Sequence, residues 1–233
     1  MPPKKNMKIR KKKVQKDKKQ DQRIKSLEKF VYKTIENKQV NYGYNDLARS
    51  ISTTGDQRSQ FLAVAAGAQD GFANNDAARV GNSITLMNQR VTLMFSQATT
   101  GDLYNRVRVL IVESTEGNQN LTMSDVLAFG SYASYGDLVF ASPYTTKANT
   151  NKRYKVHMDK TFELNRNANG ATKIIKHNIK YREGGSPGKL VTYADGGAIH
   201  PNNHRLNILC ISDSSVSPHV VWNYNVRSTY KDA

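Results

Sequence analysis

The chain has 233 residues and a mass of 26.1 kDa, with 35 Lys plus Arg against 19 Asp plus Glu, a formal net charge of +16. That length admits one large domain or two small ones, and with 38% hydrophobic residues, a mean hydropathy of −0.65 and no apolar run approaching roughly 18 residues, it is not expected to span a membrane. A single cysteine excludes an internal disulfide and a cysteine-based zinc site.

The start, Met1-Pro-Pro-Lys-Lys-Asn-Met-Lys-Ile-Arg10, is charged but lacks the apolar stretch of a signal peptide, so a secreted precursor is not expected. The sequon Asn120-Leu-Thr122 then reads as a chance match. Residues 1–29 hold thirteen basic side chains against Asp17, Asp21 and Glu28, a net +10, while the remainder of the chain carries only +6. Such a segment buries too little apolar surface to offset the entropy of ordering, so the composition predicts a disordered arm until a polyanion neutralises it. Lys outnumbers Arg eleven to two and no aromatic residue precedes Phe30. The candidate ligands Lys4, Lys5, Lys8, Arg10, Lys11, Lys12, Lys13, Lys16, Lys18, Lys19, Arg23 and Lys25 should therefore hold nucleic-acid phosphates without sequence preference. Arg10-Lys-Lys-Lys13 also suffices as a nuclear import signal, which makes a host import receptor a further candidate partner. Ile24, Leu27, Val31 and Ile35 approximate the spacing of a basic helix lying on a membrane. The apolar face is thin, however, and the residues from Phe30 onward favour a strand, so no membrane partner is expected.

From residue 30 the apolar period is two. Ser59–Ala68 is alanine-rich enough for a helical turn or two. The loop after it carries Asp70 and Asp76, a candidate Ca2+ site, although it lacks the alternating acids of a calcium-binding loop. Between residues 79 and 96, Ile84 and Leu86 keep even parity while Val91, Leu93 and Phe95 keep odd parity, so the strand must bend or bulge near Met87 and Asn88. Val107, Val109 and Ile111 alternate beside Arg106 and Arg108. Thr122-Met-Ser-Asp-Val-Leu-Ala-Phe-Gly130 offers a capping hydroxyl, an early acid and a terminal glycine for a short helix. In 153–164 the even positions Tyr154, Val156, Met158, Phe162 and Leu164 are apolar; His157 shares a face with Asp159 and can pair with it. Ile175, His177, Ile179 and Tyr181 alternate next.

Gly184-Gly-Ser-Pro-Gly-Lys-Leu190 is no phosphate loop, because Glu183 stands where the first glycine belongs and Leu190 replaces the hydroxyl. His200 and His204 are separated by Pro201, so no helix presents both to a metal. Cys210 lies in an apolar alternating segment. Trp222 shares a face with Val220, Tyr224 and Val226 and belongs to the core. Seven or eight strands, long Gly- and Asn-rich loops and two minor helices describe an all-β, eight-stranded antiparallel jelly roll over residues 30–233, preceded by the basic arm of residues 1–29. An immunoglobulin-like sandwich usually needs only about 100 residues. No nucleophile motif is present, and an enzyme is not expected.

The stretch Gly67-Ala-Gln-Asp-Gly-Phe-Ala-Asn-Asn-Asp-Ala-Ala-Arg79-Val-Gly81-Asn-Ser-Ile84 resembles the Gly…Arg-x-Gly-x-x-Ile element of the small single-jelly-roll capsid proteins similar to satellite tobacco necrosis virus, found also in circular single-stranded DNA viruses. Collinear pieces agree: Arg106-Val-Arg108-Val-Leu-Ile-Val, Leu121-Thr-Met-Ser-Asp-Val-Leu127 and Arg153-Tyr-Lys-Val-His-Met-Asp159-Lys160. Glu113 departs from the aspartate that many members carry. The resemblance implies a virion shell of identical subunits, T=1 at its smallest, with the arm directed onto a single-stranded genome. Arg79 and Gly81 then read as structural, the arginine tying a loop to a neighbouring strand and the glycine permitting close backbone approach. The alternative is a non-capsid nucleic-acid-binding protein with a β-sandwich body and a cationic tail.

Overall fold

Alternating apolar residues without a helical period leave strand pairing as the main way to satisfy the backbone. The computed structural model describes residues 17–27, 37–43, 48–67, 78–115, 119–145, 154–167, 171–184 and 186–232. The chain divides into a unit ending at Asn37 and a second unit, Lys38–Ala233.

In the first unit, residues 17–27 form a helix, α1, all of whose side chains are exposed. Composition predicts no regular structure here. Lys, Gln, Arg and Leu are good helix formers, however, and Asp21 sits one turn before Lys25, the favourable order of charges.

The elements from Asn37 onward are β1 (Asn37–Tyr42), β2 (Arg49–Ile51), β3 (Asp56–Ser59), β4 (Ser83–Ser96), β5 (Tyr104–Ser114), α2 (Met123–Val126), α3 (Tyr132–Tyr135), α4 (Leu138–Ala141), β6 (Tyr154–Asn165), β7 (Thr172–Lys180), β8 (Arg182–Glu183), β9 (Ser186–Pro187), β10 (Lys189–Thr192), β11 (Arg205–Ser212) and β12 (Val220–Asp232). One sheet runs β1-β12-β4-β10, with β2 also on β12 and β7 also on β4; the other runs β3-β11-β5-β6. The pairings are nested. The first segment, β1 with β2, meets the last, β12; β3 meets β11; β4 meets β7 and β10; β5 meets β6. A single long hairpin rolled up on itself has this nesting, and the fold is an eight-position jelly roll.

The parity change in β4 is a bulge: Thr229 faces Asn88 and Tyr230 faces Leu86, so Met87 has no register partner on β12. On the other side of β4, β7 ends opposite Asn88 and β10 begins opposite Leu86. The main core lies between the sheets and includes Ile84, Leu93, Phe95, Val107, Val109, Ile111, Ile208 and Trp222. A second cluster covers the outer side of the second sheet, where Leu110, Val112, Leu209 and Ile211 pack with Val126, Val139 and Phe140 of the short helices. This double burial explains why Val109–Val112 of β5 form a continuous apolar run.

Two sequence expectations differ. Of the expected helical turn over Ser59–Ala68, the described part, residues 59–67, is not helical: Ser59 ends β3, and the segment beyond it turns so that Phe61, Leu62 and Val64 enter the core. The Val64 amide bonds the Ile199 carbonyl at 2.8 Å, and the Tyr42 hydroxyl bonds the Ala63 carbonyl at 2.6 Å. Tertiary pairing overrides alanine's preference here. The Thr122 segment forms only one turn, α2, with the Thr122 amide and hydroxyl donating to the Asp125 carboxylate at 2.8 and 2.7 Å.

Trp222 is fully buried, stacked on Phe95 with centroids 6.1 Å apart, and its Nε1–H donates to Asp56 Oδ2 at 2.8 Å. Arg49 holds the same carboxylate through Nε at 2.6 Å and Nη2 at 2.8 Å. Trp222→Phe keeps the stacking surface but removes the donor, and should lower the unfolding free energy by about 2 kcal/mol in urea titration. An unchanged midpoint would mean that Arg49 alone satisfies Asp56.

Candidate functional site

Of the candidate arm residues, Lys18, Lys19, Arg23 and Lys25 lie on α1 and are exposed; Lys4, Lys5, Lys8, Arg10, Lys11, Lys12, Lys13 and Lys16 lie outside the described residues. At 100° per residue the four cations on α1 span an arc of about 160° that contains neither Asp17 nor Asp21, although Asp21 borders it beside Lys25. A helix carrying cations on one arc suits a polyanion. Asp70 and Asp76, the candidate Ca2+ ligands, also lie outside the described residues.

Arg79 is wholly buried just before β4. Its Nε donates to the Val64 carbonyl at 3.2 Å, Nη2 to the Asp195 and Ala198 carbonyls at 2.8 and 2.6 Å, and Nη1 to the Gly81 carbonyl. The guanidinium carbon lies 4.1 Å from the centre of the Tyr193 ring. Every named donor is spent on this chain's own backbone. Gly81 has φ +84°, and a Cβ there would meet nothing within 4 Å. The positive φ, not a close approach, is what calls for glycine.

A second buried polar group was not singled out from the sequence as a site. Glu113 is 5% exposed and stands in line with Val107, Val109 and Ile111 on the inner face of β5. Its Oε1 accepts from Lys189 Nζ of β10 at 2.6 Å and lies 3.2 Å from His204 Nδ1; its Oε2 lies 2.8 Å from His157 Nε2. Behind it, Gln89 Oε1 of β4 accepts from the Tyr181 hydroxyl at 2.6 Å and lies 3.2 Å from His204 Nε2. Gln89 Nε2 donates to Ser228 Oγ at 2.9 Å. Burial alone would raise the Glu113 carboxyl. Bonds from His157 and His204 and the charge of Lys189 outweigh it and hold the group far below the usual carboxylate range. Burial pushes the His204 imidazole below its ordinary value, against the opposing pull of Glu113.

His157 does not pair with Asp159 as the shared parity predicts. Met158 faces Ile111 and Val156 faces Val112, so His157 is the extra residue of a bulge that turns it toward Glu113. Asp159 instead accepts from Arg108 Nε and Nη2 at 3.0 and 2.7 Å and from the Tyr144 hydroxyl at 3.0 Å. His204 is likewise committed to Glu113 and Gln89, which leaves no His200–His204 metal pair. The glutamate cluster ties one sheet to the other and is sealed: the side chains of Glu113 and His204 are 6% and 1% exposed.

A surface cleft of about 530 Å3 lies over β3, β11 and the short helices, lined by Thr53, Gln57, Ser131, Tyr132 and others. Among the described residues its one carboxylate, Asp56, is already bound by Arg49 and Trp222. Burial pushes the Cys210 thiol well up, so it is no nucleophile. No helix among the described residues is long and apolar enough to cross a membrane.

No family model matches the chain, and no curated protein matches its sequence. Among solved structures it is similar to the empty head of turnip yellow mosaic virus, with a TM-score of 0.36 and 8% identity over 85% of this chain and 80% of that one. It is also similar to mud crab tombus-like virus, with a TM-score of 0.35 and 9% identity over 84% and 80%. Broad bean stain virus gives a TM-score of 0.29 and 9% identity over 81% and 87%. These are distant likenesses of architecture; the jelly roll is established by this chain's own strand pairing.

Proposed function

We propose that the chain is the coat protein of a small virus, a subunit that associates with identical copies into a closed icosahedral shell and packages a single-stranded genome through its basic N-terminal arm. The observation that carries this reading is the union of a jelly roll, whose buried Arg79, Arg108, Glu113 and His204 are engaged internally, with a separate segment holding +10 of the chain's +16 charge. Many weak subunit contacts become collectively strong in a symmetric assembly, and a closed point group ends growth. The virion is then the protein's location, with passage through the host nucleus if Arg10–Lys13 engages an import receptor.

Electron microscopy and sedimentation of the purified protein test this reading, and closed particles containing nucleic acid are the expected result. Monomers across the micromolar range, with or without added nucleic acid, would overturn it and leave a monomeric nucleic-acid-binding protein. Deleting Lys4–Lys13 removes seven positive charges. Each phosphate contact to a single strand contributes roughly 0.7 to the slope of log affinity against log salt. The shortened protein should therefore package less nucleic acid, read as the 260/280 nm absorbance ratio, and show a shallower slope. Equal content and slope would remove the arm from packaging.

A further inference from the structure

The cations of the body are unevenly placed. Strands β1, β2, β4, β7, β10 and β12, which make one sheet, carry nine Lys and Arg residues and one carboxylate, Asp232. That carboxylate is already bonded by Lys38 and the Val80 amide, at 2.8 and 2.7 Å. The other sheet, β3, β5, β6 and β11, carries six against four.

The registers show where the first sheet's charges gather. On the face turned away from the core, Thr229, Asn88 and Lys180 form one row, Arg227, Arg90 and Asn178 the next, and Asn225, Thr92 and Lys176 a third. Successive rows are two residues apart along a strand, about 6.8 Å. Arg90, Lys176, Lys180 and Arg227 are exposed, and among the described residues none is in an ion pair. Arg227 Nε donates to Asn41 Oδ1 at 2.9 Å, which orients the guanidinium without neutralising it.

Arg90 and Arg227 are directly opposed across β4 and β12. Like charges in that relation cost stability, and β4 lies inside the sheet, so they do not guard an edge against aggregation. Four cations and a set of amides share one face, with no carboxylate in these rows among the described residues, an arrangement that suits an anion from outside. The outward positions of these rows carry no aromatic residue. Nothing there would stack a base or anchor at a bilayer surface. The row beyond is Asn223, Met94 and Ile174, of which Met94 and Ile174 are 38% and 57% exposed, too little apolar surface to insert in lipid.

We infer that this face, centred on Arg90, Lys176, Lys180 and Arg227, is a second nucleic-acid contact, ordered by the sheet, that holds the phosphates of a single strand without reading its sequence. It deepens the packaging reading, on which it rests, by giving the genome a fixed contact on the shell domain in addition to the arm.

The test uses the full chain. R90Q/K176Q/K180Q and, separately, a variant with Lys4, Lys5, Lys8, Lys11, Lys12 and Lys13 changed to Gln are titrated with fluorescent thirty-nucleotide oligo-dT over a range of KCl. The sheet variant should lose about 2 from the salt slope, roughly 0.7 for each of three contacts, and bind about tenfold more weakly at physiological salt. Its melting temperature should not fall, because a like-charge pair has been relieved. An unchanged slope in a folded sheet variant overturns the inference while leaving the arm reading intact. A loss in the sheet variant with none in the arm variant supports the face and removes the arm. If R90Q/K176Q/K180Q does not fold, K176Q/K180Q alone should show about two-thirds of the loss, and no loss there overturns the inference. Loss of binding to phosphatidylserine vesicles without loss of oligo-dT binding would make the face a membrane contact and likewise overturn it.

Discussion

Replacing Arg79 with methionine is expected to lower the unfolding free energy by about 4 kcal/mol, an effect reached only through a few mechanisms, among them a broken buried hydrogen-bond network. Methionine fills much of the arginine's volume, so the loss isolates the polar contacts. Four carbonyls depend on this one side chain: Val64 before it, Gly81 after it, and Asp195 and Ala198 in a loop more than a hundred residues later. Each buried acceptor left without a donor costs about 1–3 kcal/mol. Part of that sum is recovered because an arginine without a carboxylate partner no longer has to be desolvated. Arg79→Lys should also destabilise, since an ammonium is a point donor and cannot span four carbonyls set by a planar fork. Urea titration of both variants reads the effect. A loss below about 1 kcal/mol would mean that water reaches the carbonyls and that Arg79 does not tie the 195–198 loop to the start of β4.

How far the sequence exposes this architecture depends on how local each signal is. The opposed parities of Leu86 and Val91 locate the β4 bulge because both faces of one strand are visible in one segment. β1 is hidden: Asn37, Lys38, Gln39 and Asn41 carry no apolar pattern, and the strand exists because β12 offers it a partner. α3 and α4 are hidden for a related reason, since they serve to cover Leu110, Val112, Leu209 and Ile211. The continuous apolar run from Val109 to Val112 signals that both faces of β5 are buried, and the parity of Val107, Val109 and Ile111 turns Glu113 inward. What parity cannot supply is Glu113's partners, which arrive from 44, 76 and 91 residues away. One of them, His157, is aimed by a bulge that shows only when β6 is laid against β5. The cationic face is similar: Arg90, Lys176 and Arg227 are unremarkable singly and become one surface through the register of three strands.

Glu113→Gln should cost about 3 kcal/mol, because removing one member of a buried ionic group leaves its partners uncompensated. The glutamate is faced by Lys189 from β10, His157 from β6 and His204 at the start of β11; Gln89 of β4 and Tyr181 close the group, and Lys155 of β6 is its exposed register partner. The same geometry fixes the response to acid. Burial places the folded value of His204 below its ordinary one, so unfolding takes up a proton. Its contribution is complete above about pH 7 and is lost as pH falls through the unfolded value, near 6.5. His177, lowered by burial and by nearby His157 and Lys160, acts in the same sense. Glu113, held far below the usual carboxylate range, contributes fully above about pH 5.5 and loses that contribution as pH falls through the unfolded value, near 4.3. Wild-type stability should therefore decline in two overlapping stages on acidification, first between about pH 7 and 5.5 and then below about pH 5. In Glu113→Gln the second stage should shrink. The first should steepen, because His204 has lost the carboxylate that opposed the effect of burial. Urea titrations at half-unit intervals from pH 8 to 4 distinguish these profiles, and equal slopes for wild type and variant below pH 5 would mean that Glu113 is not the carboxylate that stabilises the joined sheets.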